Sequence, residues 1–290
     1  MKVVGFSFVR NGVKYGYPFV ESIRSVLPLV DEFVINLGNS DDETNDLVER
    51  LPKEKVKTIH SIWDESLKTA GRVLAVETNK ALDVTGAEAD WLFYIQGDEV
   101  IHEKDYDEIR NQMLRYKDDK NVEGLLFRYY HFYGSYRFLG DGRSWYPFEI
   151  RIIRNNKKIR SYKDAQGFRW EDGKKLQVKL INAHIYHYGW ARNPVIMNRK
   201  QSAFGSLYNG GQTVDQKEEI AFDYSKVDSI TLFQGSHPDV MKDIVASEDW
   251  TLNRDINKKN FKNLKHRLYY FLDKRFGWRP FSYKNYKLIH

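Results

Sequence analysis

Trp91-Leu92-Phe93-Tyr94-Ile95-Gln96-Gly97-Asp98-Glu99 is the stretch whose reading decides the fold. Five consecutive apolar residues suit a strand buried on both faces, as the strands of a parallel sheet are. The run then breaks into a polar turn ending in two carboxylates. Gly97 lets the backbone approach a ligand closely. Asp98 is a hard oxygen donor, suited to Mg2+ or Mn2+ that also holds substrate phosphates. The same residues admit a plainer role, with Asp98 capping a helix that begins near His102.

Upstream of this strand the chain alternates. Residues 3–9 form an apolar run that ends in the turn signal Arg10-Asn11-Gly12. Phe19, Val20, Ile23, Val26 and Leu27 recur at helical spacing over residues 18–29. A second strand at 33–37 leads into the loop Gly38-Asn39-Ser40-Asp41-Asp42, where Asp41 or Asp42 can cap a helix over 44–51. A third strand at 56–59 and a helix at 71–85 complete the series. This β-α-β-α-β-α-β order predicts an α/β protein with a mainly parallel, Rossmann-like sheet and helices on both faces. Ligands of such sheets bind beyond the carboxyl ends of the strands. The loops to read are therefore Arg10-Asn11, Asn39-Ser40-Asp41-Asp42, Trp63-Asp64 and Gln96-Gly97-Asp98-Glu99. A rim that only needed turns would not require so many carboxylates.

Past residue 120 strands are predicted at 124–130, 149–154, 176–181 and 185–188, and helices at 195–204, 240–246 and 261–276. The expected organisation is a catalytic unit over 1–195 with a helical extension over 196–290 packed on it. In Ala183-His184-Ile185-Tyr186-His187-Tyr188-Gly189-Trp190, the two histidines differ by an odd number and face opposite sides of a strand, so they do not share one metal. Asp164 sits in a loop of cationic and aromatic neighbours. It reads either as a general base or as part of a surface turn. There is no Gly-Lys-Ser/Thr phosphate loop and no GxGxxG.

The chain has 290 residues, 41% hydrophobic and 30% charged, a globular rather than a disordered composition. Cysteine is absent, which excludes disulfides and thiolate metal sites and suits a reducing cytosol. The start, MKVVGFSFVRNG, is interrupted by Arg10 and reads as a first strand rather than a signal peptide. No window reaches the ~18 apolar residues of a membrane span. The expected location is cytoplasmic, with any membrane contact peripheral. The net charge of +6 is concentrated after Arg254. Leu264, Leu268, Phe271, Leu272 and Phe276 share a helical side, with Lys265, Arg267, Lys274 and Arg275 around it. This helix either rests on an anionic bilayer or packs its apolar side onto the catalytic unit. No nucleic-acid partner is expected, since no RNA-binding motif accompanies the basic residues.

Three segments together resemble a family 2 glycosyltransferase of the GT-A fold. They are residues 33–44 with their aspartate-rich loop, the stretch from Gly71-Arg72 through Asp90 to Glu99, and His187-Tyr-Gly-Trp-Ala-Arg-Asn-Pro194, which is similar to a His-Tyr-Gly-Trp segment of a bacterial branch. The resemblance implies a metal-dependent, inverting, hexosyltransferase-like enzyme. It would use a nucleoside-diphosphate sugar and Mg2+ or Mn2+. Its acceptor would be a glycan or lipid-linked hydroxyl in surface polysaccharide or glycolipid assembly. Asp98 then matches the metal and diphosphate contact, and His187 a residue that completes the metal shell. Arg10, Asn11, Asp41, Arg72 and Gln96 fall with the donor, Asp41 at the nucleobase. Asp164 lies near the position of the catalytic base, and Glu149 competes for that role. Three departures stand out. Gln96 occupies the place of the motif's first aspartate, Leu37-Gly38-Asn39 replaces a more usual aspartate-containing sequence, and the usual His-Glu pair is missing. The alternatives are a nucleotidyltransferase, or a carbohydrate- or membrane-binding protein that kept the fold without turnover.

Overall fold

The computed structural model describes residues 1–67, 70–208, 220–252 and 254–290. The expected alternation is present: β1 (Val3–Val9), α1 (Phe19–Val26), β2 (Glu32–Leu37), α2 (Thr44–Glu49), β3 (Val56–His60), α3 (Arg72–Asp83) and β4 (Trp91–Tyr94). These four strands lie parallel in the order β3-β2-β1-β4. The Trp91 strand shows why a continuous apolar run belongs here. Trp91 and Phe93 point into a core shared with α1 and α4 (Tyr106–Arg115), while Leu92 and Tyr94 point into a second core against α3. All four are fully buried. Each such side chain contributes about 1.5–3 kcal/mol of burial. The Trp91 indole N–H also finds a partner, the Met113 carbonyl of α4 at 3.0 Å.

Beyond β4 the sheet becomes mixed. After β5 (Glu99–Ile101) come β6 (Gly124–Tyr133), β7 (Ser135–Gly140), β8 (Phe148–Arg154), the small hairpin β9 (Ile159–Tyr162) and β10 (Gly167–Trp170), and β11 (Gln177–Trp190). β8 runs antiparallel between β4 and β6. β11 lies parallel to β6 and antiparallel to β5, with His187 opposite Glu99. The two strands expected at 176–181 and 185–188 are thus one strand. A register shift between Leu180 and His184 interrupts its alternation and splits the pattern in the sequence. The region after residue 193 contains α5 (Pro194–Tyr208), α6 (Lys242–Ala246) and the basic α7 (Leu264–Phe276). It also lends two strands to the sheet, β12 (Ile230–Leu232) beside β7 and β13 (Lys287–Leu288) beside β11.

Asp98 lies in the tight turn between β4 and β5. Glu99 N donates to the Gln96 carbonyl at 3.0 Å, and Tyr188 N to the Asp98 carbonyl at 2.7 Å. The helical turn that precedes α4 is capped by His102, whose side chain accepts from Lys104 N at 3.3 Å. Asp98 is therefore not the cap of that segment. Its neighbour Glu99 turns inward. It grips Arg151 in a two-pronged ion pair, both contacts at 2.7 Å, and accepts from Tyr129 Oη at 2.8 Å. Both charges are buried, so this fully bonded pair holds the turn and β8 together.

Candidate functional site

A cavity of about 1490 Å3 opens where β1, β4 and β11 end. Asp98 and His187 meet in it: Asp98 Oδ2 lies 3.7 Å from His187 Nε2 and 3.4 Å from the Lys200 ammonium of α5. Burial opposes ionisation of Asp98, but the charges of His187, Lys200 and Arg192 outweigh it and hold the carboxyl well below its usual range. Lys200 is itself buried and donates to the Gly189 carbonyl at 2.7 Å. Burial and the nearby Arg192 push its ammonium down to about 7 against the opposing pull of Asp98.

A chain of hydrogen bonds fixes which nitrogen of His187 faces Asp98. The Tyr146 carbonyl can only accept, so His131 Nε2, 2.7 Å away, carries the hydrogen. Burial, and then the charge of His187, push the His131 ring well below its ordinary pKa. It is therefore neutral, and its Nδ1 is a lone pair. That lone pair lies 2.9 Å from His187 Nδ1, which must donate. What faces Asp98 is therefore His187 Nε2, the nitrogen that no protein partner fixes from the other side. Two electron-pair donors facing one another call for a cation between them, either a proton on Nε2 or a metal ion. Gly189 keeps that space open, because a β-carbon on it would stand 2.4 Å from His187 Nε2 and 2.7 Å from Asp98 Oδ2. One carboxylate, one imidazole with its far nitrogen anchored, and room for phosphate oxygens fit Mg2+ or Mn2+. Among the described residues no group of three or more His, Asp or Glu side chains converges for an ion.

The other rim residues divide between the two ends of the cavity. Arg10 lies over the Trp63 ring at 5.2 Å, and Phe8 packs on the same indole. Gly38 is required beside them, since a β-carbon there would stand 2.6 Å from Trp63 Nε1 and 2.8 Å from Arg10 Cβ. Asn11 lines the cavity too, yet its side chain works on the loop: its Oδ1 accepts from Asp41 N at 2.9 Å. At the other end Asp164 accepts from Tyr208 Oη at 2.6 Å. Both lie against Gly71, the residue before Arg72 and the start of α3. Lys163 and Ala165 flank Asp164 with φ of 56° and 60°, left-handed conformations that cost such residues about 1 kcal/mol or more each. Gln96 joins the two parts of the site, because its amide nitrogen donates to the Ala165 carbonyl at 3.1 Å.

Of the residues singled out in the sequence, Arg10, Asn11, Arg72, Gln96, Asp98, Asp164 and His187 line this cavity, whereas Asp41 and Glu149 do not. Asp41 is exposed and paired with Lys14 at 2.8 Å. Glu149 is buried behind Gly167, and burial pushes its carboxyl up to about 8. His184 faces away, its ring stacked on Tyr130 at 4.5 Å and its backbone N–H bonded to Asp105. Lys200, His131, Tyr146 and Tyr208 were not visible as site residues in the sequence. They lie far along the chain from Asp98, and no motif marks them.

No protein-family model matches the chain, and no curated protein matches it. Among solved structures it is similar to S. aureus TarS 1–349 in complex with UDP-GlcNAc, with 14% identity over 75% of this chain and 68% of that chain and a TM-score of 0.41. It is also similar to the mannosyltransferase PcManGT from Pyrobaculum calidifontis in complex with GDP-Man and Mn2+, with 15% identity over 43% of this chain and 34% of that chain and a TM-score of 0.32. Glucosyl-3-phosphoglycerate synthase from Mycobacterium tuberculosis in complex with Mn2+, UDP and phosphoglyceric acid gives 14% identity over 46% and 43% and a TM-score of 0.29. At such identities and TM-scores these likenesses carry no weight for function.

Proposed function

We propose that the protein is a GT-A glycosyltransferase that moves a sugar from a nucleoside-diphosphate sugar to a hydroxyl acceptor, with inversion, in bacterial surface polysaccharide or glycolipid assembly. The observation that carries this reading is the pair Asp98 and His187, facing each other across space that Gly189 leaves open, in a cavity roomy enough for two substrates. The diphosphate belongs at this pair, with the nucleoside toward Arg10 and Trp63. Mg2+ or Mn2+ held by Asp98 and His187 would offset charge on the diphosphate. The Lys200 ammonium adds a protein-borne cation at the same place.

Asp164 is the base in this account. It lies in the cavity, and Tyr208 fixes one of its oxygens, leaving the other for an acceptor hydroxyl. The acceptor oxygen forms a bond to the anomeric carbon as the bond from that carbon to the β-phosphate oxygen breaks. The proton passes to Asp164, and the electron pair leaves with the nucleoside diphosphate. One displacement inverts the centre, and no protein nucleophile takes part. The Gln96 contact to Ala165 holds the Asp164 loop in register with the Asp98 turn. The chemistry falls within residues 1–195, and the segment 196–290 lends Lys200 and Tyr208 to it. Release of nucleoside diphosphate from a panel of sugar nucleotides, with and without Mn2+ and a hydroxyl acceptor, tests the reading. Release that needs both supports it, and release from no donor contradicts it.

A further inference from the structure

Helix α7 is turned inside out. A surface helix normally buries its apolar stripe. Here Tyr269, Tyr270 and Asp273 face the protein: Tyr270 Oη donates to Asp141 Oδ2 at 2.8 Å, and Asp273 pairs with Arg279 at 3.5 Å. The opposite side carries Leu264, Leu268 and Phe271, which are 81%, 53% and 55% exposed. Phe276, Trp278 and Phe281 continue the exposed apolar surface past the helix end at 66%, 60% and 88%. Lys265, Arg267 and Arg275 stand exposed among and beside these residues.

We infer that this face docks on an anionic phospholipid bilayer. An apolar centre flanked by Lys and Arg, with a Trp at the edge, has the chemistry of a helix lying in the plane of a lipid interface. The charge is complementary to anionic headgroups. A second copy of the same face would bring like charges together. The exposed Leu264 and Leu268 beside the Phe and Trp rings make a mixed aliphatic and aromatic surface, which suits acyl chains better than stacked nucleic-acid bases. Among the described residues no helix is long and apolar enough to cross a membrane, so the contact is with the surface.

The segment that follows α7 reaches the cavity wall. Arg279 donates to the Trp145 carbonyl, next to Tyr146 in the cavity wall. Lys163, beside Asp164, lies 4.8 Å from the Tyr283 ring. A bilayer held by α7 therefore presents a lipid-linked hydroxyl at the Asp164 end. This last step rests on the transferase reading, whereas the docking does not.

Cosedimentation with phosphatidylcholine vesicles, and with mixed phosphatidylcholine–phosphatidylglycerol vesicles, tests the docking without any sugar donor. The expected result is binding to the anionic vesicles alone, weakened by salt. Leu268→Ser with Phe271→Ser, and separately Lys265→Glu with Arg267→Glu and Arg275→Glu, should each weaken binding by about tenfold or more. All these residues lie outside the cavity, so nucleotide binding should be unchanged in both variants. No binding to anionic vesicles, or binding that neither variant weakens, overturns the inference. So does a concentration-dependent dimer, or capture of RNA, that the same variants abolish. Loss of vesicle docking with donor binding intact would leave the transferase reading standing, and the reverse pattern would leave the docking standing.

Discussion

Gly189 lies against Asp98 so closely that a β-carbon on it would stand 2.7 Å from Asp98 Oδ2 and 2.4 Å from His187 Nε2. The glycine thus keeps a gap between two electron-pair donors. Gly189→Ala should fill that gap and lower Mn2+-dependent nucleotide affinity by about tenfold or more. It should cost stability by no more than the ~1–3 kcal/mol of an overpacked site. Titration of UDP and GDP into the variant with and without Mn2+, beside a thermal melt, separates the two effects. Unchanged affinity would mean that the gap holds nothing.

Asp98→Asn keeps the shape of the carboxylate and removes its charge. Its kcat/KM should fall by roughly 10²–10³, the size of effect seen when a charge-stabilising group is lost. The melting temperature should fall as well, because Asp98 is the carboxylate that faces the buried Lys200 ammonium. A large loss of stability with activity retained would show Asp98 to be a structural residue.

His131 touches no substrate in this account and acts through the ring of His187. His131→Phe removes the acceptor for His187 Nδ1, so the tautomer that aims a lone pair at Asp98 is no longer enforced. Metal affinity should drop roughly 10- to 100-fold, and excess Mn2+ should restore much of the activity. A variant whose activity falls equally at all Mn2+ concentrations would point to a packing role alone.

Asp164 and Glu149 separate by kinetics and by pH. Asp164→Asn should lower kcat by roughly 10²–10⁴ while nucleotide affinity holds. Glu149→Gln should leave kcat near that of the wild type and change the pH dependence of stability instead. Burial raises the Glu149 carboxyl from an ordinary 4.5 to about 8 in the folded chain. Between those values the folded state keeps a proton that the unfolded chain has released. The stability from the neutral carboxyl is therefore complete below about 4.5 and is lost as pH rises through about 8, at about 1.4 kcal/mol per unit. Glu149→Gln should flatten that decline in chemical melts across this range. Loss of activity in Glu149→Gln with a normal melt would exchange the two roles.

Much of the fold was legible because long, strongly patterned segments announce themselves. Trp91 to Ile95 had to be buried on both faces, and its alternation between two cores follows from strand geometry. β5, β7, β9, β10, β12 and β13 were missed because short strands acquire their pairing from distant partners. β11 was read as two strands because its register shift breaks the period. At the site, Asp98 and His187 stood out through strand-end position and resemblance. Lys200 did not, since a single lysine on a weakly amphipathic helix looks like any surface lysine until the fold buries it against Asp98. The sequence left the apolar side of α7 with two readings. Its outward orientation is a tertiary fact, set by Tyr269 and Tyr270 packing inward.

In the proposed function Asp98 and His187 form the seat of a nucleoside diphosphate and its metal ion. The most direct measurement is calorimetric titration of UDP, GDP, dTDP and CDP into the wild type and Asp98→Asn, each with and without Mn2+. One nucleotide should bind the wild type with an affinity that depends on Mn2+, and Asp98→Asn should lose that dependence. Binding of none of the four, or binding that neither Mn2+ nor Asp98 influences, would contradict it.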